Sequence, residues 1–186
     1  MTVETVQLFY GLLALLAWAV IGVLVVVRLA ATVSEGALGG WERISDAVAP
    51  NALGLAWFVA FLATAGSLYF SEVAGYVPCS LCWYQRIAMY PLVVILAIGS
   101  ARRETAGAVY ATGLAIIGAL IALYHTILEW VPSLDAGACS VSAPCTFVWF
   151  RVFGVISLPF LALTAFVLII VILAIRIRHP DHRSDP

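Results

Sequence analysis

Long apolar stretches separated by short polar breaks dominate this 186-residue chain. A helix of about 20 apolar residues crosses the ~30 Å hydrocarbon core of a bilayer, and five stretches have about that length or more. None shows the alternation expected of a barrel strand. Because every backbone N–H and C=O in lipid needs an internal partner, the pattern predicts an all-α membrane protein. Its five predicted transmembrane helices cover residues 6–27, 52–70, 81–99, 106–128 and 152–175.

Residues 32–51, between the first two spans, carry a different pattern. Mostly apolar side chains fall on one helical arc and charged side chains on the opposite arc, at about 100° per residue. This predicts a short amphipathic helix in the headgroup plane, with a partner-binding surface as the alternative. The first arc holds Leu38, Trp41, Ile44, Ser45 and Val48, and the second holds Glu42, Arg43 and Asp46.

Composition agrees with lipid as the main solvent of the chain. Hydrophobic residues make up 64% and charged residues only 10%, which excludes a water-soluble globule. The formal net charge is −1, and this near-neutral balance argues against nucleic acid as a partner. The bilayer itself is the expected surrounding.

Arginine positions predict the orientation. Seven arginines fall in breaks that belong to one side of the membrane, and basic residues mark the cytoplasmic side. We therefore expect the N-terminus outside and the C-terminus in the cytoplasm. The first span lacks a basic leader and is too long for a signal peptide, so it is interpreted as a retained helix. The seven are Arg28, Arg43, Arg102, Arg103, Arg176, Arg178 and Arg183.

Four cysteines form two pairs that this topology places on the oxidising side. Cys79 and Cys82 lie at the outer end of the third span, and Cys139 and Cys145 lie in the outer loop before the fifth. A four-thiolate zinc site, a pair of structural disulfides and a redox relay are the three interpretations. A disulfide that closes a loop this short removes little entropy from the unfolded chain and stabilises the fold by only about 2 kcal/mol. This weakens the structural interpretation.

The residues around the first pair favour the relay. Pro78 suits a helix start, so Cys79 is expected in the first turn, where the helix dipole stabilises a thiolate. Arg86 falls on the same helical face, about 6 Å deeper than Cys82. An ionisable group inside the membrane is a functional candidate, and snorkelling to the headgroups is its alternative role.

A fixed positive charge beside a dithiol suits electron transfer to an acceptor that lives in the bilayer. Arg86 could stabilise both the leaving thiolate and the reduced acceptor. A lipid-soluble quinone fits this description. A soluble cofactor would need a binding domain, and the chain has neither a G-x-G-x-x-G nor a Walker motif.

The stretch CSLCWYQR at residues 79–86, followed by a second cysteine pair in the next outer loop, resembles the DsbB family of disulfide-forming membrane enzymes. The spacing CSVSAPC followed by FGVISLPFLALTAF resembles its short-loop branch in Gram-positive bacteria, known as BdbC. The resemblance implies a catalytic four-helix bundle over 52–175 in the bacterial cytoplasmic membrane. Residues 1–31 would then be an additional helix, 32–51 a cytoplasmic loop and 176–186 a cytoplasmic tail, expected to be disordered at 179–186.

The resemblance also implies a relay among the cysteines. A DsbA-like thioredoxin-fold partner outside the cytoplasm would attack a Cys139–Cys145 disulfide and form a mixed disulfide with Cys139. Cys145 would then exchange with Cys79, and Cys82 would face the quinone, either menaquinone or ubiquinone. Arg86 would lie beside that quinone.

His125, at the outer end of the fourth span, is a further expected quinone-binding residue. Its alternative role is a hydrogen bond to Glu129, four residues on. Gln85 stands where some family members carry glutamate, which argues against a proton-relay role there.

Two other classes compete with this interpretation. The vitamin K epoxide reductase family also joins cysteine pairs to a quinone, but there the loop pair precedes the C-x-x-C motif, whereas here the motif comes first. A membrane subunit with purely structural disulfides is the non-enzymatic alternative.

Overall fold

A computed structural model of the chain describes residues 2–103, 105–135, 137, 139 and 143–178. These residues are almost entirely helical, and an isolated β-bridge pairs Val152 with Ile156. Short 3-10 turns cover Ala49–Asn51 and Pro132–Leu134, and a π-helical turn covers Tyr69–Val73. The six α-helices are α1 (Val3–Ala30), α2 (Glu35–Val48), α3 (Ala52–Leu68), α4 (Ser80–Arg102), α5 (Thr105–Trp130) and α6 (Leu158–Arg178).

Five helical segments are long and apolar enough to cross a membrane, which confirms the predicted number of spans. They are α1, the continuous segment Glu35–Val73 that includes α3, then α4, α5 and α6. The short amphipathic helix predicted between the first two spans is also present, as α2. The fold is therefore a small helical membrane bundle, as the apolar pattern predicted.

One predicted boundary is wrong. The last helix begins at Leu158 and not at 152. The backbone turns just before it, because Phe153 and Gly154 adopt positive φ angles of 53° and 75° while Val152 and Ile156 pair across the turn. These residues are apolar enough to look like helix, but their backbone forms a tight turn.

Helices α3 to α6 share the main core. Many of its buried residues are alanines, including Ala56 and Ala60 of α3 and Ala111 and Ala115 of α5. Small side chains let transmembrane helices approach closely, which replaces the hydrophobic driving force that lipid cannot supply. The tightest approach is at Gly118, where an added Cβ would lie 2.3 Å from the Phe166 ring.

The bundle has two chemically different ends. At one end Arg28 lies over the buried Trp41 ring, 5.7 Å from its centroid, and Arg176 donates to the Arg103 carbonyl at 3.3 Å. The cysteines gather at the other end, where α4 begins. Arg183 and the predicted disordered tail 179–186 lie outside the described residues.

Candidate redox site

Cys79 caps the N-terminus of α4. Its backbone is extended, and its Sγ accepts a hydrogen bond from the Cys82 backbone N–H at 3.3 Å. Both residues are free thiols with their sulfur atoms 3.0 Å apart. Cys79 therefore lies one residue before the first turn, where the predicted helix-dipole effect still acts.

The environment of Cys79, just outside the membrane-spanning helix, favours its thiolate. The hydrogen bond from the Cys82 thiol does most to lower the pKa of Cys79, to about 4, while burial acts in the opposite direction. A hydrogen bond from His125 lowers the pKa of Cys79 further. At neutral pH a reduced Cys79 is thus a thiolate, the form that attacks disulfides.

His125 lies between the two cysteine pairs. The Gln85 side-chain amide donates to His125 Nδ1 at 3.0 Å, which leaves the proton of a neutral ring on Nε2. Nε2 lies 3.7 Å from Cys79 Sγ and 3.1 Å from the Cys145 carbonyl oxygen. The side chain of Glu129, the alternative partner considered above, instead accepts a hydrogen bond from Ser157.

The second pair is a disulfide in the loop between α5 and α6. Cys139 and Cys145 are bonded with their Cα atoms 5.8 Å apart. Cys145 is fully buried against Cys79 and Leu128, whereas Cys139 is half-buried. All four cysteines therefore belong to one cluster, and Cys139 is the more accessible member of its disulfide.

Arg151 and Glu129 hold this loop against the end of α5. Arg151 donates to the Glu129 carbonyl at 3.0 Å and lies over the Trp130 ring, 4.1 Å from its centroid. The Ser157 hydroxyl also donates a hydrogen bond to the Glu129 carboxylate. Two residues of the loop, Arg151 and Ser157, therefore hold it to Glu129 of α5.

Arg86 is held by α3. Its Nε donates to Ser67 Oγ at 3.0 Å and its Nη2 to the Ser67 carbonyl at 3.1 Å. The guanidinium also lies 5.1 Å from the centroid of the Trp83 ring. These contacts keep the charge inside the bundle and leave little freedom for the alternative snorkelling role.

A cavity of about 530 Å³ lies beside Cys82, bounded by α1, α3, α4 and α6. Cys82, Gln85 and Arg86 line the end nearest the cysteine cluster, together with Ser67 and Tyr90. The rest of its lining is largely apolar. An apolar pocket with a few converging polar groups is the usual form of a small-molecule site.

A second cavity, of about 230 Å³, lies on the other side of Cys82. It is lined by Cys79, Cys82, His125 and Glu129, among others. Cys82 thus faces both cavities, whereas Cys79 and His125 line only the smaller one. The expected contact of His125 with a quinone stays a prediction.

Two polar residues of the larger cavity were missed by sequence reasoning. Ser67 is a lone hydroxyl in an apolar helix and gives no signal by itself. Tyr90 lies one turn after Arg86 on the same face of α4, so the i+4 spacing could have indicated it. Their hydroxyl oxygens lie 3.3 Å apart.

Three possible metal-ligand atoms also meet here. One atom each of Cys79, Cys82 and His125 lies within 4.8 Å of the others, close enough to ligate one ion. The four-thiolate zinc site considered from the sequence is not formed in this state, because Cys139 and Cys145 are bonded to each other.

Fold and site together define a multi-pass membrane protein with two clustered cysteine pairs, one of them a disulfide. The family model described as "Disulfide bond formation protein DsbB" matches residues 49–176. The chain belongs to this family, and it is a disulfide-forming membrane oxidoreductase. Helices α1 and α2 precede the matched residues.

Curated relatives agree with this assignment. The "Probable disulfide formation protein" of Oceanobacillus iheyensis is 43% identical over 138 residues, which cover 73% of this chain and 95% of the relative. "Disulfide bond formation protein C" of Bacillus subtilis is 46% identical over 120 residues, covering 64% and 87%. The "Probable disulfide formation protein C" of Halalkalibacterium halodurans is 47% identical over 116 residues, covering 62% and 85%. No solved structure gives a significant match.

Proposed function

We propose that the protein reoxidises a DsbA-like thioredoxin-fold protein outside the cytoplasm and passes the electrons to a membrane quinone. The observation that carries this proposal is the position of Cys82. It lines a cavity formed between membrane helices, beside the fixed charge of Arg86, and its sulfur lies 3.0 Å from that of Cys79. Electrons that arrive at the cysteine cluster therefore have a path towards lipid.

The partner side of the reaction uses the half-buried Cys139. A partner thiolate attacks its sulfur, the Cys139–Cys145 bond breaks, and Cys145 leaves as a thiolate. Cys145 then attacks Cys79 of an oxidised Cys79–Cys82 pair, so a Cys79–Cys145 bond forms and Cys82 leaves as a thiolate. Cys79 and Cys145 belong to one buried cluster, and His125 Nε2 contacts Cys79 Sγ and the Cys145 carbonyl oxygen, which supports an exchange at this place.

The remaining exchanges restore both disulfides. The second partner thiol releases Cys139, which attacks Cys145 and frees Cys79. Cys79 and Cys82 then re-form their bond and give up two electrons, while two protons are released. The balance is one partner dithiol oxidised to a disulfide for each acceptor reduced by two electrons and two protons.

The larger cavity fits a quinone as that acceptor. Bound there, a lipid-soluble quinone would accept the two electrons and two protons and leave as the hydroquinone. Arg86, fixed by Ser67, would stabilise the Cys82 thiolate and the negative charge that develops on the acceptor. His125 would donate to the Cys79 thiolate, oriented by Gln85. Menaquinone and ubiquinone both suit this cavity.

The orientation belongs to the same proposal. The cysteine end would face the outside of a bacterial cytoplasmic membrane, with the N-terminus also outside and the C-terminus in the cytoplasm. Arginines at the opposite end of the bundle support this arrangement. Residues 52–175 would form the catalytic bundle, 1–31 an additional helix, 32–51 a cytoplasmic loop and 176–186 a cytoplasmic tail.

Turnover by the purified protein tests the proposal. Reduced thioredoxin-fold protein and a quinone are mixed with the protein, and quinone absorbance is followed. We expect wild-type turnover, and none with Cys82→Ser or Cys139→Ser. A structural role for the disulfides would instead lower the stability of these variants, with no quinone-dependent oxidation in the wild type.

Arg86→Ala separates the two halves of the reaction. It should lower kcat/KM for the quinone by about 10²–10³, as loss of a charge-stabilising donor does, and leave thiol exchange with the partner intact. Arg43→Ala, which removes an exposed arginine from α2, is the control and should match wild type. Lost exchange with normal quinone kinetics would contradict the role of Arg86.

A further inference from the structure

Helix α1 forms one wall of the larger cavity. The α1 residues that line it fall on one side of the helix, at about 100° per residue. Two of them are alanines, Ala14 and Ala17, and both are buried. The lining positions on α1 include Tyr10, Leu13, Ala14, Ala17, Val20 and Leu24.

Specific contacts fix α1 in this place. The Tyr10 hydroxyl donates to the Leu62 carbonyl at 3.1 Å, and its ring occupies the space above Gly66, where a Cβ would lie only 2.6 Å from it. Further along, Trp18 donates to Thr164 Oγ1 of α6 at 3.0 Å. Because lipid gives no hydrophobic drive between helices, hydrogen bonds and close packing of this kind determine where a helix docks.

The cavity is long and chemically asymmetric. Its α1 lining extends from Tyr10 to Leu24, about 21 Å at 1.5 Å per residue. Helix α4 contributes only to the outer part, from Cys82 to Tyr90. Beyond Tyr90 the cavity continues as an apolar groove between α1, α3 and α6.

We propose that this groove holds the isoprenoid tail of the quinone, with α1 as the wall that gives it a fixed direction. The inference rests on the proposed function, which places the quinone ring at the Cys82 and Arg86 end. A tail attached to a ring there needs space that is apolar and continuous with the site, and the groove is both.

The groove contributes mainly by orienting the tail, and hydrophobic burial of the tail adds little binding free energy. A tail that moves from lipid into the groove leaves one apolar surrounding for another and gains little free energy. What the groove supplies is a single orientation of the tail, and therefore of the ring relative to Cys82. Helix α1, which lies outside the region matched to the family, thereby becomes a determinant of acceptor selectivity.

Filling the groove tests this role. Ala14→Phe should lower the ratio of kcat/KM for a long-tailed quinone to kcat/KM for a tail-less quinone by about tenfold, which corresponds to ~1.4 kcal/mol. Ala19→Phe is the matched control, because Ala19 is exposed on α1 and does not line the cavity. An unchanged ratio in Ala14→Phe, or the same fall in both variants, would overturn the inference.

Photolabelling of the wild type gives an independent measurement that needs no variant to fold. A quinone with a diazirine at the end of its tail should label the groove-facing residues of α1, α3 and α6, and excess unlabelled long-tailed quinone should suppress that labelling. Labelling spread evenly over the lipid-facing surface would overturn the inference. Equal suppression by phospholipid alone would show that the groove holds an acyl chain, and would also overturn it.

The two tests separate this inference from the proposed function. Wild-type turnover of the tail-less quinone with partner thiols establishes the function whatever happens in the groove. A wild type that reduces neither quinone would refute both.

Discussion

The capping position of Cys79 gives its sulfur three stabilising contacts at once. It accepts from the Cys82 thiol, from the Cys82 backbone N–H and from His125, in a place where burial alone would oppose charge. A thiol needs such donors to ionise out of water, because desolvation favours its neutral form. The arrangement makes Cys79 the nucleophile when the pair is reduced.

This ionisation can be measured as a pH dependence. Because the pKa of Cys79 is lowered to about 4, its thiolate is present above that pH and is lost as the pH falls through it. In a variant with Cys139 and Cys145 replaced by serine, alkylation of Cys79 by iodoacetamide should be nearly constant between about pH 6 and 8 and should fall near pH 4. An unperturbed thiol, with a pKa of about 8.5, would instead react about tenfold faster per pH unit over that range.

Replacing Cys82 tests the cause. Cys82→Ala removes the largest contribution and should move the pKa of Cys79 upwards, so that alkylation rises with pH in the neutral range. Cys82→Ser keeps a donor and should shift it less. The lowered pKa of Cys79 also affects the free energy of unfolding. It stabilises the folded, reduced protein at high pH, and this contribution disappears as the pH falls towards about 4.

At this scale the sequence predicted which residues lie close together on one helix. It missed the contacts between residues of different helices. Cys82 and Arg86 are four residues apart on α4, so their shared face follows from helix geometry. Ser67 is 19 residues from Arg86, and Gln85 is 40 from His125. No local pattern relates residues so far apart, and only packing brings them together.

At the scale of elements, glycine decides how closely α5 and α6 approach. The Phe166 ring occupies the space that a side chain at position 118 would need, whereas Gly113 of the same helix has nothing within 4 Å of its missing Cβ. The two glycines look alike in the sequence. Their difference arises only from which face of α5 meets α6.

Gly118→Ala should therefore destabilise the bundle. The added Cβ must displace a fully buried aromatic ring, and overpacking of this kind costs about 1–3 kcal/mol. Gly113→Ala is the matched control and should be neutral or slightly stabilising, since alanine is the better helix former. Thermal unfolding in detergent measures both, and equal midpoints for the two variants would contradict the packing seen at Gly118.

The sequence pattern predicted the number of helices better than the residues at which they begin. Apolar composition predicted five spans because the bilayer demands length and hydrophobicity, and both are local properties. It placed the start of the last span six residues too early, because hydrophobic residues in a turn look like hydrophobic residues in a helix. The positive φ angles at Phe153 and Gly154 mark where the two differ.

At the scale of the whole molecule, one group of arginines and the redox site lie at opposite ends of the bundle. The arginines around Trp41 and Arg103 lie at one end of the bundle, and the cysteine cluster lies at the other. Since basic residues remain on the cytoplasmic side, the cysteines should meet the oxidising side, where a disulfide persists.

Labelling of intact cells tests this orientation. After mild reduction, an impermeant maleimide should modify Cys139 from outside, because this cysteine is half-buried while Cys145 is fully buried. The Cys139→Ser variant serves as the control and should lose most of the signal. Labelling that appears only after the cytoplasm is opened would reverse the orientation and remove the basis for an extracytoplasmic partner.

The sequence by itself determined the number of spans, the helical class and the pairing of cysteines with an arginine on one helical face, because each depends on residues close together in the chain. The tertiary structure alone decided that α1 forms a wall of the large cavity, that Ser67 fixes Arg86 and that His125 lies between the two cysteine pairs. Helices in lipid are positioned by shape and by hydrogen bonds between side chains far apart in sequence. Such complementarity exists only when both surfaces are in place, so no pattern along one helix can encode it.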